Sequence, residues 1–114
     1  MENCLFCKIA NKQIKSDIVH EDNDIVAFKD INPQAPVHVI IIPRKHIERI
    51  SEIEREDSTL IGDMFLAAVK IARENDIEKT GYRLVINCNK DAGQEVFHIH
   101  LHLLGGRKFM WPPG

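Results

Sequence analysis

Apolar positions along this chain follow two rhythms, and the switches between them mark out the elements. Leu5, Phe6 and Ile9, set among polar Lys8, Asn11 and Lys12, predict a short helix with a narrow apolar face. Ile18 to His20 and Ile25 to Phe28 are β-prone runs separated by Glu-Asp-Asn-Asp, which reads as a hairpin. After the break Asn32-Pro33-Gln34-Ala35-Pro36, the run Val37 to Ile42 is β-branched almost throughout and stops at Pro43, as a buried central strand would. Ser51 and Glu54 have capping-box spacing and open one short helical turn; Asp57 or Ser58 then caps a longer helix. Leu60, Ile61, Met64, Phe65, Ala68, Ile71 and Ala72 recur at helical spacing on its core face, and Gly81 follows its end. Tyr82, Leu84 and Ile86 alternate in a half-buried strand, and Lys90 to Gly93 turns the chain into a last strand carrying Phe97, Ile99, Leu101 and Leu103 on one face. Hairpins around one long helix predict an α+β fold: an antiparallel sheet of about five strands, one long helix and one short one.

The 114 residues, 44% of them hydrophobic and 28% charged, suit one globular domain over residues 1–114 that needs no disulfide framework. With 15 basic and 17 acidic side chains the net charge is −2, which supplies no field to gather nucleic acid or anionic lipid. The longest apolar run, Met64 to Val69, is far too short for a membrane span, and Met-Glu-Asn-Cys does not open a signal peptide. A cytoplasmic protein with no nucleic-acid and no membrane partner is expected. Three cysteines cannot all pair, and in a reducing compartment Cys4 and Cys7 read as a metal or redox pair. A thioredoxin-like motif would follow a strand, for which the N-terminus has no room, so metal is the better reading.

The alternation that places Phe97, Ile99, Leu101 and Leu103 on one face sends His98, His100 and His102 to the other. Three imidazoles in register on a face where Thr, Val or Tyr would pack well point to protonation, phosphate contact or metal binding. Residues two apart on a strand lie roughly 6.6 Å apart and residues four apart roughly 13 Å, so the row cannot easily share one ion with bonds of about 2 Å. Divided roles follow: one ring attacks as a nucleophile while its neighbours donate to anionic oxygens.

The segment Gly93-Gln94-Glu95-Val96-Phe97-His98-Ile99-His100-Leu101-His102-Leu103-Leu104-Gly105-Gly106 resembles the histidine triad (HIT) superfamily, particularly its Hint-type nucleotide-binding branch. Asp30 to His38, Ile42-Pro43-Arg44-Lys45-His46 and the terminal Trp111-Pro112-Pro113-Gly114 extend the resemblance over nearly the whole chain. It implies a HIT-like fold and a purine nucleoside phosphoramidase of the adenosine 5'-monophosphoramidase type, which cleaves P–N bonds through a nucleotidyl-histidine and needs no catalytic cofactor. His100 matches the nucleophile, His98 and His102 the flanking triad positions, and His38 a further histidine beside them. Asp30 would accept from ribose hydroxyls, and Phe6, Ile9, Phe28 and Ile31 would wall the base pocket for an AMP- or GMP-type ligand. Asn87 and Gln94 would make phosphate-side contacts, with backbone N–H groups of Gly93 to Val96 presented to the anion. Glu95 departs from a common Ser; a carboxylate repels phosphate but suits a cationic amine leaving group.

Cysteine-bearing relatives hold zinc between such a pair, a histidine after the central strand and the first triad histidine. The resemblance therefore implies structural zinc on Cys4, Cys7, His46 and His98, two thiolates and two imidazoles being an ordinary closed zinc set. It also implies a homodimer, with Phe109, Met110 and Trp111 available for docking at the partner's site; a tail packed on its own chain is the alternative. Hydrolysis of dinucleoside polyphosphates or nucleotidyl transfer uses the same attack at an α-phosphorus, and a nucleotide-binding scaffold with incidental catalysis is the reading from another class.

Overall fold

Side chains that fit a pleated surface pair here in one antiparallel sheet, and both faces of its middle are covered. The computed structural model describes residues 3–114. Helix α1 (Leu5–Ala10) is followed by strands β1 (Ile18–Glu21), β2 (Ile25–Lys29) and β3 (Val37–Pro43). Two 3-10 turns, Ile50–Glu52 and Arg55–Asp57, lead into helix α2 (Ser58–Glu74), then β4 (Tyr82–Val85), the one-turn helix α3 (Asn89–Ala92) and β5 (Leu101–Gly105). The strands lie in the order β1-β2-β3-β5-β4, so β3 and β5, distant in sequence, are neighbours at the centre.

The twofold period of the strands divides the core. Ile25, Ala27, Val39, Ile41, Leu101 and Leu103 face α2 and meet Met64, Ala68 and Ile71. Val26, Phe28, Ile40 and Ile42 face the other way and meet Phe6, Ile9 and Ala10 of α1. Being covered on both sides, β2 and β3 read as continuous apolar runs rather than alternating ones. A fully buried aliphatic side chain such as Ile41 contributes roughly 1.5–3 kcal/mol through removal from water.

Four local expectations need correction. Phe65 is 38% exposed and Ala67 takes its place on the core stripe, because position 65 lies a hundred-degree step away from Met64, at the stripe's flank. Ser51 sits inside the first 3-10 turn; the capping box is formed by Glu54 and Asp57, whose carboxylate accepts the Glu54 N–H at 2.8 Å. Asp57 does stand at the start of α2, but its side chain is used by Glu54 and by Lys45 Nζ at 2.6 Å and does not cap that helix. Residues Lys90 to Gly93 form a helical turn closed by Gly93 at φ +85°, and the final strand starts only at Leu101. Before that point the chain bends at Val96 to His98 and lies off the ladder: Ile99 N–H donates to the Ile47 carbonyl at 2.6 Å, and the His98 ring donates to the Pro43 carbonyl at 2.7 Å.

Candidate functional site

On the α1 side of the sheet, α1, the β2–β3 connection and the histidine segment enclose a cavity of about 480 Å³, a volume in the range of small-molecule sites. Phe6 and Ile9 from α1 and Phe28 from β2 form its apolar walls, and Ile31 stands at the rim, 97% exposed. Phe6 and Phe28 meet edge to face with centroids 5.4 Å apart, so three of these side chains belong to pocket and core at once. Asp30, Asn87 and Glu95 line the polar side with His100 and His102 beside them, and Val96 adds to the apolar lining. Asp30 Oδ1 accepts the Asn32 N–H at 2.8 Å, and its other oxygen lies 3.4 Å from His38 Nε2. Gln94 is placed differently: its buried amide accepts from Asn89 N–H and donates to the carbonyls of Glu48 and Val96, which braces the loop beneath the pocket.

Each ring nitrogen can be assigned from its partner, since a carbonyl only accepts and a backbone N–H only donates. His100 Nδ1 is 2.8 Å from the His98 carbonyl and therefore carries the proton, so Nε2 keeps the free lone pair. His38 Nδ1 accepts the Gln34 N–H at 3.0 Å, which puts the His38 proton on Nε2. That Nε2–H lies 3.0 Å from His102 Nδ1, so the neutral His102 ring carries its own proton on Nε2. Burial lowers the pKa of His38 and His100, and takes His102 down to about 4, where its imidazole neighbours add to the effect. All three rings are thus neutral at pH 7.

His98 faces elsewhere. Its Nε2–H is held by Pro43, and Nδ1 points at Cys4 Sγ (3.3 Å), Cys7 Sγ (3.4 Å) and His46 Nδ1 (3.2 Å). Cys7 Sγ is also 3.4 Å from His46 Nδ1, and all four donor atoms lie within 4.8 Å of one another. Zn–N bonds of about 2.0–2.1 Å and Zn–S bonds of about 2.3 Å put tetrahedral donors about 3.3–3.8 Å apart, so this set fits a structural metal ion. Burial, together with Cys4, pushes the Cys7 thiol up to about 11, so metal uptake at neutral pH releases its proton. A second group, Asp30, His38 and His102, is equally close, but the proton on His38 Nε2 occupies the nitrogen a metal would need.

The residues expected in the metal set are therefore together, and His100, His102, Asp30, Phe6, Ile9, Phe28, Ile31, Asn87, Glu95 and Val96 share one pocket. His98 and His38 stand behind it, and Gln94 is turned away. Sequence reasoning missed Ile40 and the rim residues Lys15, Ser16 and Asn32. Ile40 was within reach of alternation from His38 along β3, where it pairs with His102; nothing local marks the rim.

An α+β fold with two neutral imidazoles in a small-molecule pocket, and a third turned to a thiol pair, defines the class: a protein whose alternating histidines serve two adjoining sites. Comparison with known proteins makes this specific. The HIT domain family matches residues 11–109, and the chain belongs to the HIT family. It is 49% identical over 113 residues to an uncharacterised HIT-like protein of Synechocystis, covering 99% of this chain and 98% of that one. A HIT family hydrolase of Legionella pneumophila superposes with TM-score 0.97 at 54% identity, over 98% of this chain and all of that one. A HIT family hydrolase of Clostridium thermocellum gives 0.92 at 50% identity over 94% and 93% of the two chains. A histidine triad protein of Clostridium difficile gives 0.94 at 40% identity over 96% of each.

Proposed function

We propose that this protein is a hydrolase, acting as one domain on the P–N bond of purine nucleoside 5'-phosphoramidates through a nucleotidylated His100. The observation that carries the reading is the state of His100: its Nδ1–H is tied to the His98 carbonyl, so a neutral ring lining the pocket has only Nε2 to offer as a nucleophile. The names of the Legionella and Clostridium thermocellum relatives support the hydrolase class.

The base lies between Phe6, Ile9 and Phe28 with Ile31 over it, and Asp30 accepts from the ribose hydroxyls. His100 Nε2 attacks phosphorus and the P–N bond breaks, the electron pair leaving with an amine that takes up a proton from solvent, which hydrolysis of the intermediate later returns. His102 Nε2–H, oriented by the Gln34–His38–His102 relay, donates to the phosphoryl oxygens as their charge develops. Water then cleaves the P–Nε2 bond and restores neutral His100. Glu95 lines both this pocket and an adjoining cavity with Glu48 and Phe97, a placement that suits contact with the departing amine. A metal on Cys4, Cys7, His46 and His98 would supply a cross-link between α1 and the histidine segment and takes no part in the bond changes.

Quenched-flow hydrolysis of an adenosine 5'-phosphoramidate should show a burst, with a nucleotidylated protein in the mass spectrum. His100→Ala should lose turnover and adduct together. Turnover that survives in His100→Ala would refute the assignment. In the same assay Glu95→Gln should slow charged amine leaving groups more than neutral ones.

A further inference from the structure

The metal cluster and the pocket share more than proximity. Helix α1 is six residues long, too short to hold itself together in water, and its fold depends on what grips it. At its C-terminal end Arg44 Nη1 donates to the Ala10 carbonyl at 3.0 Å. At its start Cys4 is the N-cap, its sulfur accepting the Cys7 N–H at 3.3 Å, and across the fold both thiols reach His98. Between them lies Phe6, whose ring stands edge-on to His100 with centroids 5.0 Å apart, and Ile9 follows in the next turn; both are pocket walls.

The second connection is His98 itself. Its ring offers Nδ1 to the cluster while its main-chain carbonyl holds the His100 proton in place. One residue is thus a metal donor on one side and the orienting group of the reactive imidazole on the other.

We propose that metal and nucleotide binding are thermodynamically coupled through α1 and His98, each raising the affinity of the other. The inference rests on the nucleotide-pocket and zinc readings above for its two probes, AMP and zinc. With the cluster filled, α1 presents Phe6 and Ile9 in their bound positions, and His98 acts as a positioning residue for His100. Without it, the N-terminal end of α1 keeps the core packing of Phe6 but has only thiol–imidazole contacts of 3.3–3.4 Å to tie it to the histidine segment, and nucleotide binding must order more of the wall as well as fill it. Linkage requires the same factor in both directions, and coupled sites of this kind differ by about 5–150-fold.

The test starts from the zinc-loaded full chain. Transfer of zinc to a chromophoric chelator, followed with and without saturating AMP, should show zinc held about tenfold more tightly when AMP is bound; inorganic phosphate serves as the control ligand. Calorimetry of AMP on zinc-loaded and zinc-free protein, the latter checked for fold by circular dichroism, should return the same factor. Phe6→Leu, which keeps all four donors but thins the contact to His100, should retain stoichiometric zinc and reduce the factor to below about threefold.

Zinc and AMP that both bind with no effect on each other would overturn the coupling alone. Loaded protein that fails to bind AMP would overturn the nucleotide reading with it, and failure to bind zinc would overturn the metal reading with it. A full factor in Phe6→Leu would remove α1 from the connection and defeat the proposal even where the zinc-free chain does not fold.

Discussion

The partner of each imidazole, not its place in the row, determines what it can do. His98, His100 and His102 alternate in sequence, yet one gives its free nitrogen to a thiol pair, one keeps a lone pair beside the pocket, and one carries its proton on Nε2. Their neutrality has a measurable consequence. The buried rings of His38 and His102 titrate below the ordinary histidine value of 6.5, His102 at about 4, whereas an unfolded chain takes up those protons near 6.5. Well above pH 7 neither state binds them and they leave stability unchanged. As pH falls from about 6.5 towards 4 the unfolded state gains protons first, so stability is lost across that window. The carboxyls of Asp57 and Glu21, held below their usual range by Lys45 and Lys12, add their own loss at lower pH. Urea midpoints measured from neutral pH down to about 4.5 should fall on this schedule, and His102→Gln should give a shallower slope. A flat profile across that window would contradict the assignment of neutral rings.

Strand β3 and helix α2 were legible in the sequence because the cause of each is local: a β-branched run ended by proline, and an apolar stripe with helical period. The histidine segment was legible in its alternation but not in its pairing. Where β5 begins is decided by the carbonyls of Ile47 and Pro43, some fifty residues earlier, which draw Ile99 and His98 off the ladder. The same distant geometry separates His98 from the pocket and turns Gln94 towards Glu48, so the histidine triad resemblance picked out residues that gather at one pocket and one thiol cluster without giving those two their positions. The turn after β5 offers a test at this level. Gly106 has φ +89°, and a Cβ there would lie 2.9 Å from Pro36 Cβ, a ring with little room to yield. Gly93 also has a positive φ, +85°, but open space around it. Gly106→Ala should therefore destabilise the protein by more than the roughly 1 kcal/mol expected of Gly93→Ala, as read by chemical denaturation. Equal losses would show that the Pro36 loop moves aside. That loop carries Gln34, so Gly106→Ala should also lower turnover through the His38 relay.

Over the molecule as a whole, large apolar side chains are left open at the pocket rim, where Ile31 is the most exposed, on α2 and in the tail. Leu66 and Phe65 on α2 are exposed, as are Met110 and Trp111, whereas Phe109 is gripped between the guanidinium groups of Arg107 and Arg83 at 4.2 and 5.2 Å from its ring centroid. The tail is thus anchored on its own chain at Phe109 and again at Met110, whose carbonyl accepts from Arg83 Nη2 at 3.1 Å, while the Met110 and Trp111 side chains stay open for contact with a second copy. Deleting residues 109–114 should shift sedimentation towards the monomer or change amine selectivity; no change in either would dispose of the dimer tail. Among the described residues no helix is long and apolar enough to cross a membrane. The sulfur of Cys4 meets the ring of His98 across 94 positions of sequence. Synthesis runs from the N-terminus, so α1 is made before the histidine segment, and the Cys4 sulfur waits for a partner 94 positions further on. The thiol cluster, and with it the start of the α1 wall beside His100, closes only after the ribosome has released His98.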